Sequence, residues 1–368
     1  MSRHSFSVVC ASLLAVAITA GTALTWAASQ GALADVLDTP SVMRPQVNQR
    51  TVGSVARQGE RLIGVGPRGL IRRSTDGGGT WTQVPSPVSS DLVTVRFTDA
   101  HTVWAVGHDA VALRSTDAGA TWERMLDGRS VLKLLQTHYT ARGDDAEAKA
   151  VLQELQRAAE QSATPGTLPA PFMDVWMGPG GEGYLVGAFG LILHTGDAGK
   201  TWTPWIERAD NQSRFHFYGI AGSGEQVYLV GEQGLVLRLD RANKRFVKVT
   251  TPYAGSYFGI DVQAGRLLAY GLRGNAYLSR DDGATWGKID TGIDAHIVAV
   301  LNVSAGRQLL VSQVGHVLAL NDASLKAQPL QVPFTSEVLG AVAAGKKGLA
   351  LAQINGIRIV ELPTYPLQ

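Results

Sequence analysis

The residues of this sequence that could do acid–base chemistry recur within a repeated eight-residue pattern. The pattern is Ser/Thr-x-Asp-x-Gly-x-Thr-Trp, and we call each copy a box; the four copies contain Asp76, Asp117, Asp197 and Asp281 and end at Trp81, Trp122, Trp202 and Trp286. A hydrolytic site needs one asymmetric set of carboxylates with different tasks. A carboxylate that returns in four units is instead typical of a turn, where aspartate accepts hydrogen bonds from backbone N–H groups. We therefore predict a structural role for the box residues.

The other chemically capable groups form no recognisable constellation. The chain has 8 histidines, and those at 108, 216, 296 and 316 stand singly. No Gly-x-Ser-x-Gly elbow, His-Glu-x-x-His motif or phosphate loop is present. The single cysteine, Cys10, can build neither a disulfide framework nor a zinc site. The sequence therefore predicts a protein that is not an enzyme and that has no cofactor and no metal site.

The charge balance argues against nucleic acid as a partner. The chain carries 33 Lys and Arg against 31 Asp and Glu. A protein that neutralises phosphates needs a basic excess. With 45% hydrophobic residues and 42 glycines, the chain can instead bury a large β-rich core.

Each box lies at the end of a longer unit whose pattern is typical of a propeller blade. Strand-like runs surround a Gly-x-x-Gly-like turn, as in residues 62–84, and seven such units can be counted. Trp81 and Trp122 are 41 residues apart, and Phe246 and Trp286 are 40 apart. A period of roughly 40–50 residues with about four strands predicts a seven-bladed β-propeller, an all-β fold. A solenoid is the alternative, but no helix recurs in each unit.

The interval from Trp122 to Trp202 is 80 residues, about one blade too long. Residues 126–171 are the predicted insertion between blades 2 and 3. Apolar residues at helical spacing predict a helix over 130–139 and a second one that begins at Asp144 or Asp145 and ends by Ser162. A Pro-rich linker follows. The apolar stripe of this helical hairpin either packs back onto the propeller or docks a partner.

The N-terminal 34 residues are typical of an export signal. Arg3 and His4 precede an uncharged run, and Ala32-Leu33-Ala34 fits a cleavage site before Asp35. An uncleaved membrane anchor is the alternative. We expect the mature chain, residues 35–368, to lie in the periplasm or otherwise outside the cytoplasm. Because the seventh unit lacks an outermost strand, we expect residues 35–46 to supply it and close the ring.

The repeat resembles that of the photosystem II assembly and stability factor family, seven-bladed members of the bacterial-neuraminidase (Asp-box) repeat superfamily. Residues 65–81, VGPRGLIRRSTDGGGTW, carry the match, and residues 106–122 and 186–202 follow it. The resemblance implies a non-enzymatic scaffold that binds a membrane-protein subunit during assembly. Similar propellers in non-photosynthetic bacteria look like companions of RND-type exporters, and we expect this chain to be such a member. The sialidase Phe-Arg-Ile-Pro motif is missing.

Propeller geometry predicts the binding surface. The turns between second and third strands share one face with the inter-blade connections and the helical hairpin. We expect a membrane protein or its periplasmic domain to bind there, contacting Arg68, His108, Asp109, Phe189, Arg214, His216, Tyr257, Arg273 and His296. The alternative is a carbohydrate-binding or cryptic glycosidase propeller of the sialidase type. That alternative needs two carboxylates, such as Asp109 and Glu232, about 5–10 Å apart in one cleft.

Overall fold

The computed structural model describes residues 35–362 except 45–48, 163, 165, 305–306, 322, 334–335 and 346–347. The expected export signal lies outside the described residues. Seven antiparallel sheets follow one another along the chain. The prediction of a seven-bladed β-propeller is confirmed.

The first three blades have four strands each. Their bounds are β1 Ser54–Gln58, β2 Arg61–Gly66, β3 Leu70–Ser74, β4 Thr82–Val84, β5 Leu92–Phe97, β6 Val103–Gly107, β7 Ala112–Ser115, β8 Glu123–Leu126, β9 Phe172–Met177, β10 Gly183–Gly187, β11 Ile192–Thr195 and β12 Thr203–Pro204. Within each blade the strands pair in chain order, so the first strand lies innermost and the fourth outermost.

Blades 4 to 7 continue the same plan. Their strands are β13 Phe217–Ser223, β14 Gln226–Gly231, β15 Val236–Asp240, β16 Arg245–Lys248, β17 Tyr257–Gln263, β18 Arg266–Gly271, β19 Ala276–Ser279, β20 Gly287–Lys288, β21 Ile297–Ser304, β22 Arg307–Ser312, β23 Val317–Asn321, β24 Ala327–Leu330, β25 Val338–Ala344, β26 Gly348–Gln353 and β27 Gly356–Glu361. Blade 7 has three strands among the described residues.

The second strand of each blade explains why the blades stack. Strands such as β6 (VWAVG) and β10 (GYLVG) are buried at every position. A strand that is covered on both faces needs a continuous apolar run, since each face packs on a neighbouring sheet. Ile63 and Val65 of blade 1 pack in this way with Val95 and Leu113 of blade 2.

The ring closes by contact between blade 7 and blade 1. Val52 and Leu62 pack with Ala350 and Ala352 in one buried cluster. The Val52 N–H also donates to the Gln353 carbonyl at 3.0 Å. Side-chain packing and these backbone contacts therefore join the first and last blades.

Residues 35–44 do not take the place that we expected for them. They form no strand with blade 7. Instead they bond to the segment that follows blade 1: the Ser41 N–H donates to the Ser86 carbonyl, and the Ser89 N–H donates to the Val36 carbonyl. Leu37 is fully buried among apolar side chains of blades 1 and 2. The segment is therefore a strap over the junction of blades 1 and 2, because Leu37 finds its apolar cover there.

The insertion forms a helical hairpin, as predicted, of α1 Gly128–Thr140 and α2 Ala146–Gln161. Asp127 caps α1 and Asp145 caps α2, each by accepting two backbone N–H bonds. Buried residues of both helices join one cluster with side chains of blades 2 and 3, including Trp104 and Phe172. The apolar stripe thus packs back onto the propeller. No described helix is both long and apolar enough to cross a membrane.

Candidate protein-binding face

The turns between second and third strands project single side chains from one face of the ring, which we call the turn face. Five equivalent positions take a left-handed backbone conformation, with φ between 53° and 58°: Arg68, Asp109, Phe189, Gln233 and Arg273. In four turns a glycine with positive φ follows, and a Cβ at Gly69 would meet the Val88 carbonyl oxygen at 2.0 Å. Backbone crowding therefore requires glycine there and leaves the preceding side chain to point outward.

Side chains from the start of the next blade hold several of these turns in place. The Arg68 N–H donates to Asp91 Oδ1 at 2.7 Å, and the Arg273 N–H donates to His296 Nδ1 at 3.1 Å. In the turn of blade 2, Asp109 Oδ2 accepts from the Ser90 hydroxyl at 2.8 Å. Hydrogen bonds therefore hold the backbone from which the exposed side chains of this face extend, and this order lowers the entropic cost of binding.

Aromatic and histidine rings form a continuous row on the turn face, which we call the aromatic track. The ring centroids of Phe189 and His216 are 4.7 Å apart, and those of His216 and Tyr218 are 6.4 Å apart. Tyr218 and Phe258 follow at 5.7 Å, and Phe258 and His296 at 5.7 Å. The row runs from blade 3 to blade 6 and supplies flat, partly exposed area of the kind enriched at binding hot spots.

Two of these rings were not predicted, and one predicted ring lies elsewhere. Tyr257 is fully buried against Tyr253 and Tyr277, so it cannot contact a partner. Its neighbour Phe258 lies in the track instead. Aligning the repeats would have found this, because Phe217-Tyr218-Gly219-Ile220 corresponds to Tyr257-Phe258-Gly259-Ile260 and places Tyr257 with the buried Phe217.

The charged candidates lie around the track. Arg214 Nε is 3.4 Å from Glu154 Oε2 of α2, which ties the track to the hairpin. Exposed Arg273 pairs with Asp294 at 3.2 Å. Glu232 accepts the His216 N–H at 2.8 Å, and burial together with Glu232 raises the pKa of Tyr218. His108 is exposed in the turn of blade 2.

The boxes lie at the opposite ends of the strands and are built as turns. In the first box, Asp76 accepts from the Ser74 hydroxyl at 2.7 Å, the Thr80 N–H at 2.9 Å and the Thr80 hydroxyl at 2.7 Å. The Gly78 N–H donates to Ser74 Oγ at 2.9 Å. The same carboxylate contacts recur at Asp117, Asp197 and Asp281. These bonds occupy the carboxylates inside their own turns.

The box tryptophans stabilise the turns by hydrogen bonding and packing. The indole N–H of Trp81 donates to the Gly78 carbonyl at 3.1 Å, and Trp122 and Trp286 make the equivalent bond. Trp202 packs edge-on against Trp104 of the preceding blade, with ring centroids 6.0 Å apart. Trp202 therefore packs between blades 2 and 3.

The carboxylates of the glycosidase alternative do not share a cleft. Asp109 belongs to the turn of blade 2 and Glu232 to that of blade 4, with blade 3 between them. Each is held by a structural hydrogen bond, to Ser90 and to the His216 N–H respectively. Within the described part of the chain, no group of three His, Cys, Asp or Glu side chains could hold a metal ion.

These features define a seven-bladed propeller with a rigid face of aromatic and basic side chains. The model of the family described as photosynthesis system II assembly factor YCF48 matches residues 167–320. The resemblance to this assembly-factor family, inferred from the repeat, is thereby confirmed. The match begins after α2, so the helical hairpin lies outside it.

Solved structures show the same fold at low identity. YCF48 bound to a D1 peptide is 15% identical, with a TM-score of 0.59 over 88% of this chain and 96% of that one. YCF48 from Cyanidioschyzon merolae is 14% identical, with a TM-score of 0.60 over 87% and 98%. A streptogramin B lyase is 10% identical, with a TM-score of 0.64 over 88% and 98%. A comparison with curated protein sequences finds no match.

Proposed function

We propose that this chain is an exported, non-catalytic scaffold that binds a membrane protein, or the part of one outside the cytoplasm, and aids its assembly or operation. The observation that carries the proposal is the aromatic track. Five rings lie within 6.4 Å of their neighbours across four blades, on a face whose turns are fixed by hydrogen bonds. Such a row offers binding area without any arrangement of groups for bond cleavage.

The comparisons support a protein partner. One solved relative by fold is YCF48 with a bound D1 peptide. We propose an analogous use here, in which an extended segment of the partner lies on the turn face. The hairpin and the boxless blades 4, 6 and 7 depart from the family repeat and argue against photosystem II as the partner. Among other membrane complexes we favour an RND-type exporter, because similar propellers in non-photosynthetic bacteria look like companions of such exporters.

Two sequence features support an extracytoplasmic location. The first 34 residues have the pattern of an export signal, and the only cysteine lies within them, at position 10. A mature chain without cysteine suits an oxidising compartment. We propose the periplasm, with an N-terminal anchor if the signal is not cleaved.

The test is crosslinking and recovery from native membranes with a chain tagged at Gln368. The unmodified chain is compared with Phe189→Ala, which removes an exposed ring of the track, and with Leu325→Ala, a matched apolar control in the turn between the third and fourth strands of blade 6. We expect one membrane protein to be recovered by the unmodified chain and the control, and to be at least about fivefold depleted with Phe189→Ala. A membrane protein recovered equally by all three would contradict the assignment of the turn face.

Failure to recover any membrane protein would contradict the scaffold proposal itself. Glycan arrays are the second arm of the test, because aromatic rings also stack on sugar rings. Binding of a glycan that is lost with Phe189→Ala would support the carbohydrate-binding alternative instead.

A further inference from the structure

An open apolar groove lies between α2 and blade 3, next to the aromatic track. Its volume is about 480 Å³. Val151, Leu155 and Ala158 of α2 form one wall, and Leu168, Phe189 and Leu191 lie on the linker and blade 3 side. Protein interiors leave few voids larger than a water molecule, whereas binding sites for small ligands and side chains have volumes of about 300–1,000 Å³.

The groove persists because both of its walls are anchored independently. On the hairpin side, Glu207 accepts the Tyr139 hydroxyl at 2.6 Å and pairs with Arg142 at 2.8 Å, which fixes α1 to the loop after blade 3. On the propeller side, Phe189 sits in a turn with φ of 57° and remains 61% exposed. A ligand that covers both this ring and the apolar groove would remove apolar surface from water, which favours binding.

Charges at the rim favour an anionic group. The groove is bordered by Arg157, Arg214 and Glu154. Glu154 pairs with Arg214 at 3.4 Å, and Arg157 has no carboxylate within ion-pair distance among the described residues. The rim therefore carries one uncompensated positive charge, that of Arg157. A ligand carboxylate can also replace the half-exposed Glu154 as the partner of Arg214.

The groove and the aromatic track share a residue. Phe189 lines the groove and also contacts His216, the next ring of the track, at 4.7 Å. A chain molecule that fills the groove can therefore continue across the face towards Phe258 and His296. This continuity favours an extended polypeptide over a compact small molecule.

We propose that the groove binds apolar side chains of an extended segment of the partner, and that an acidic residue next to them pairs with Arg157 and Arg214. This inference rests on the proposed function and names the chemistry of the segment that it would bind. The α2 wall lies outside the residues that match the family model, whereas Leu168, Phe189 and Leu191 lie inside them.

The test begins with a library of random twelve-residue peptides displayed on phage and selected on the purified chain, residues 35–368. We expect the selected sequences to place Leu, Phe or Met within about three residues of Asp or Glu. The best sequence is then synthesised with a fluorescent label, together with a version whose acids are replaced by lysine. Fluorescence anisotropy should show about tenfold weaker binding of the lysine version.

Three variants locate the binding site. Ala158→Phe fills the groove and should weaken binding of the selected peptide about tenfold or more, and Arg157→Gln about threefold to tenfold. Lys149→Gln removes a positive charge from the same helix away from the groove and is the matched control; it should leave binding unchanged. Circular dichroism confirms that each variant keeps its fold.

Selected peptides that are basic, or that bind equally to Ala158→Phe, would overturn the inference. Binding of laurate to the groove without any selected peptide would overturn it in favour of a fatty-acid site. Either result leaves the proposed scaffold function intact if Phe189→Ala still reduces recovery of the membrane protein. Failure to recover any membrane protein, with selected peptides that still bind in the groove, would instead contradict the proposed function alone.

Discussion

Arg96 and Asp174 form a two-point ion pair between the innermost strands of blades 2 and 3. Arg96 Nε lies 3.0 Å from Asp174 Oδ1, and its second nitrogen, Nη2, lies 3.0 Å from Oδ2. Asp174 is buried and also accepts the Ile220 N–H of blade 4 at 3.1 Å. Asp174 raises the pKa of Arg96 further above its usual range. A single carboxylate thus connects three consecutive blades at the centre of the ring.

Removing this carboxylate should destabilise the propeller. Asp174→Ala leaves the Ile220 N–H without its acceptor and Arg96 without its counter-ion, and we expect a loss of about 2–3 kcal/mol in the free energy of unfolding. The expected loss is no larger than this because the Arg96 side chain is 54% exposed, and water can therefore partly replace the carboxylate as its partner. Urea unfolding measures it. Asp174→Asn retains an acceptor and should lose less, and equal losses for both variants would contradict this account.

The box aspartates should make the stability of the fold sensitive to acid. Hydrogen bonds from the Thr80 N–H and hydroxyl lower the pKa of Asp76 to about 2, and those from the Thr201 hydroxyl and N–H lower that of Asp197 to about 2. A carboxyl with a lowered folded pKa stabilises the fold above its unfolded pKa of about 3.9. That contribution is lost as the pH falls from about 4 to about 2.

We therefore expect Asp76→Asn to reduce the fall in the melting temperature between pH 4 and pH 2. The asparagine cannot lose a charge, so its contribution does not titrate. Thr80→Val should act in the same direction but less, because the backbone N–H of residue 80 still donates to Asp76. Differential scanning calorimetry across this range checks both, and an unchanged pH dependence in Asp76→Asn would be the contrary result.

Glu207 should control the attachment of the helical hairpin. It is buried in the loop after blade 3, where it accepts the Tyr139 hydroxyl at 2.6 Å and pairs with Arg142 at 2.8 Å. Burial and this glutamate raise the pKa of the Tyr139 hydroxyl, which therefore stays protonated and keeps donating. Glu207→Ala should remove about 2–3 kcal/mol from the stability of the hairpin, because it leaves the Tyr139 hydroxyl and Arg142 without a shared acceptor.

Hydrogen exchange with mass spectrometry distinguishes local from global effects of that variant. Faster exchange should be confined to residues 128–161, while strands such as β6 and β14 keep their protection. Glu147→Ala, at an exposed position near the start of α2, is the matched control and should leave the hairpin unchanged. Uniformly faster exchange in the blades would mean that Glu207 supports the whole fold rather than the hairpin.

The repeated features of this fold could be predicted from sequence because each is specified locally. A box needs only its own Ser74, Asp76, Gly78 and Thr80 to make its hydrogen bonds, and the caps of the two helices lie beside them in sequence. Seven copies of similar local patterns then imply the ring. The helical hairpin was predictable for the same reason, since its stripes and caps are contiguous.

The features that depend on distant partners could not be predicted in this way. The strap pairs Asp35 and Asp38 with Arg129 of α1, and Arg124 donates to the Leu37 carbonyl, contacts that span about 90 residues. Nothing near Asp35 in sequence identifies these arginines. The Arg96–Asp174 pair and the groove likewise arise only when blades 2 and 3 and the hairpin come together.

The register of the aromatic track can be tested with two adjacent residues that should behave in opposite ways. Phe258 is half-buried and bridges Tyr218 and His296, whereas Tyr257 is fully buried between blades 4 and 5. Tyr257→Ala should therefore cost about 3–5 kcal/mol of stability, as expected for loss of a large buried side chain. Phe258→Ala should cost at most about 1 kcal/mol, because its ring already contacts solvent, but should reduce partner recovery as Phe189→Ala does.

Urea unfolding and the membrane crosslinking experiment, run on both variants, check this division between a fully buried and a half-buried ring. If Phe258→Ala binds its partner normally, the track ends at Tyr218 and the binding surface is confined to blades 3 and 4 and the hairpin.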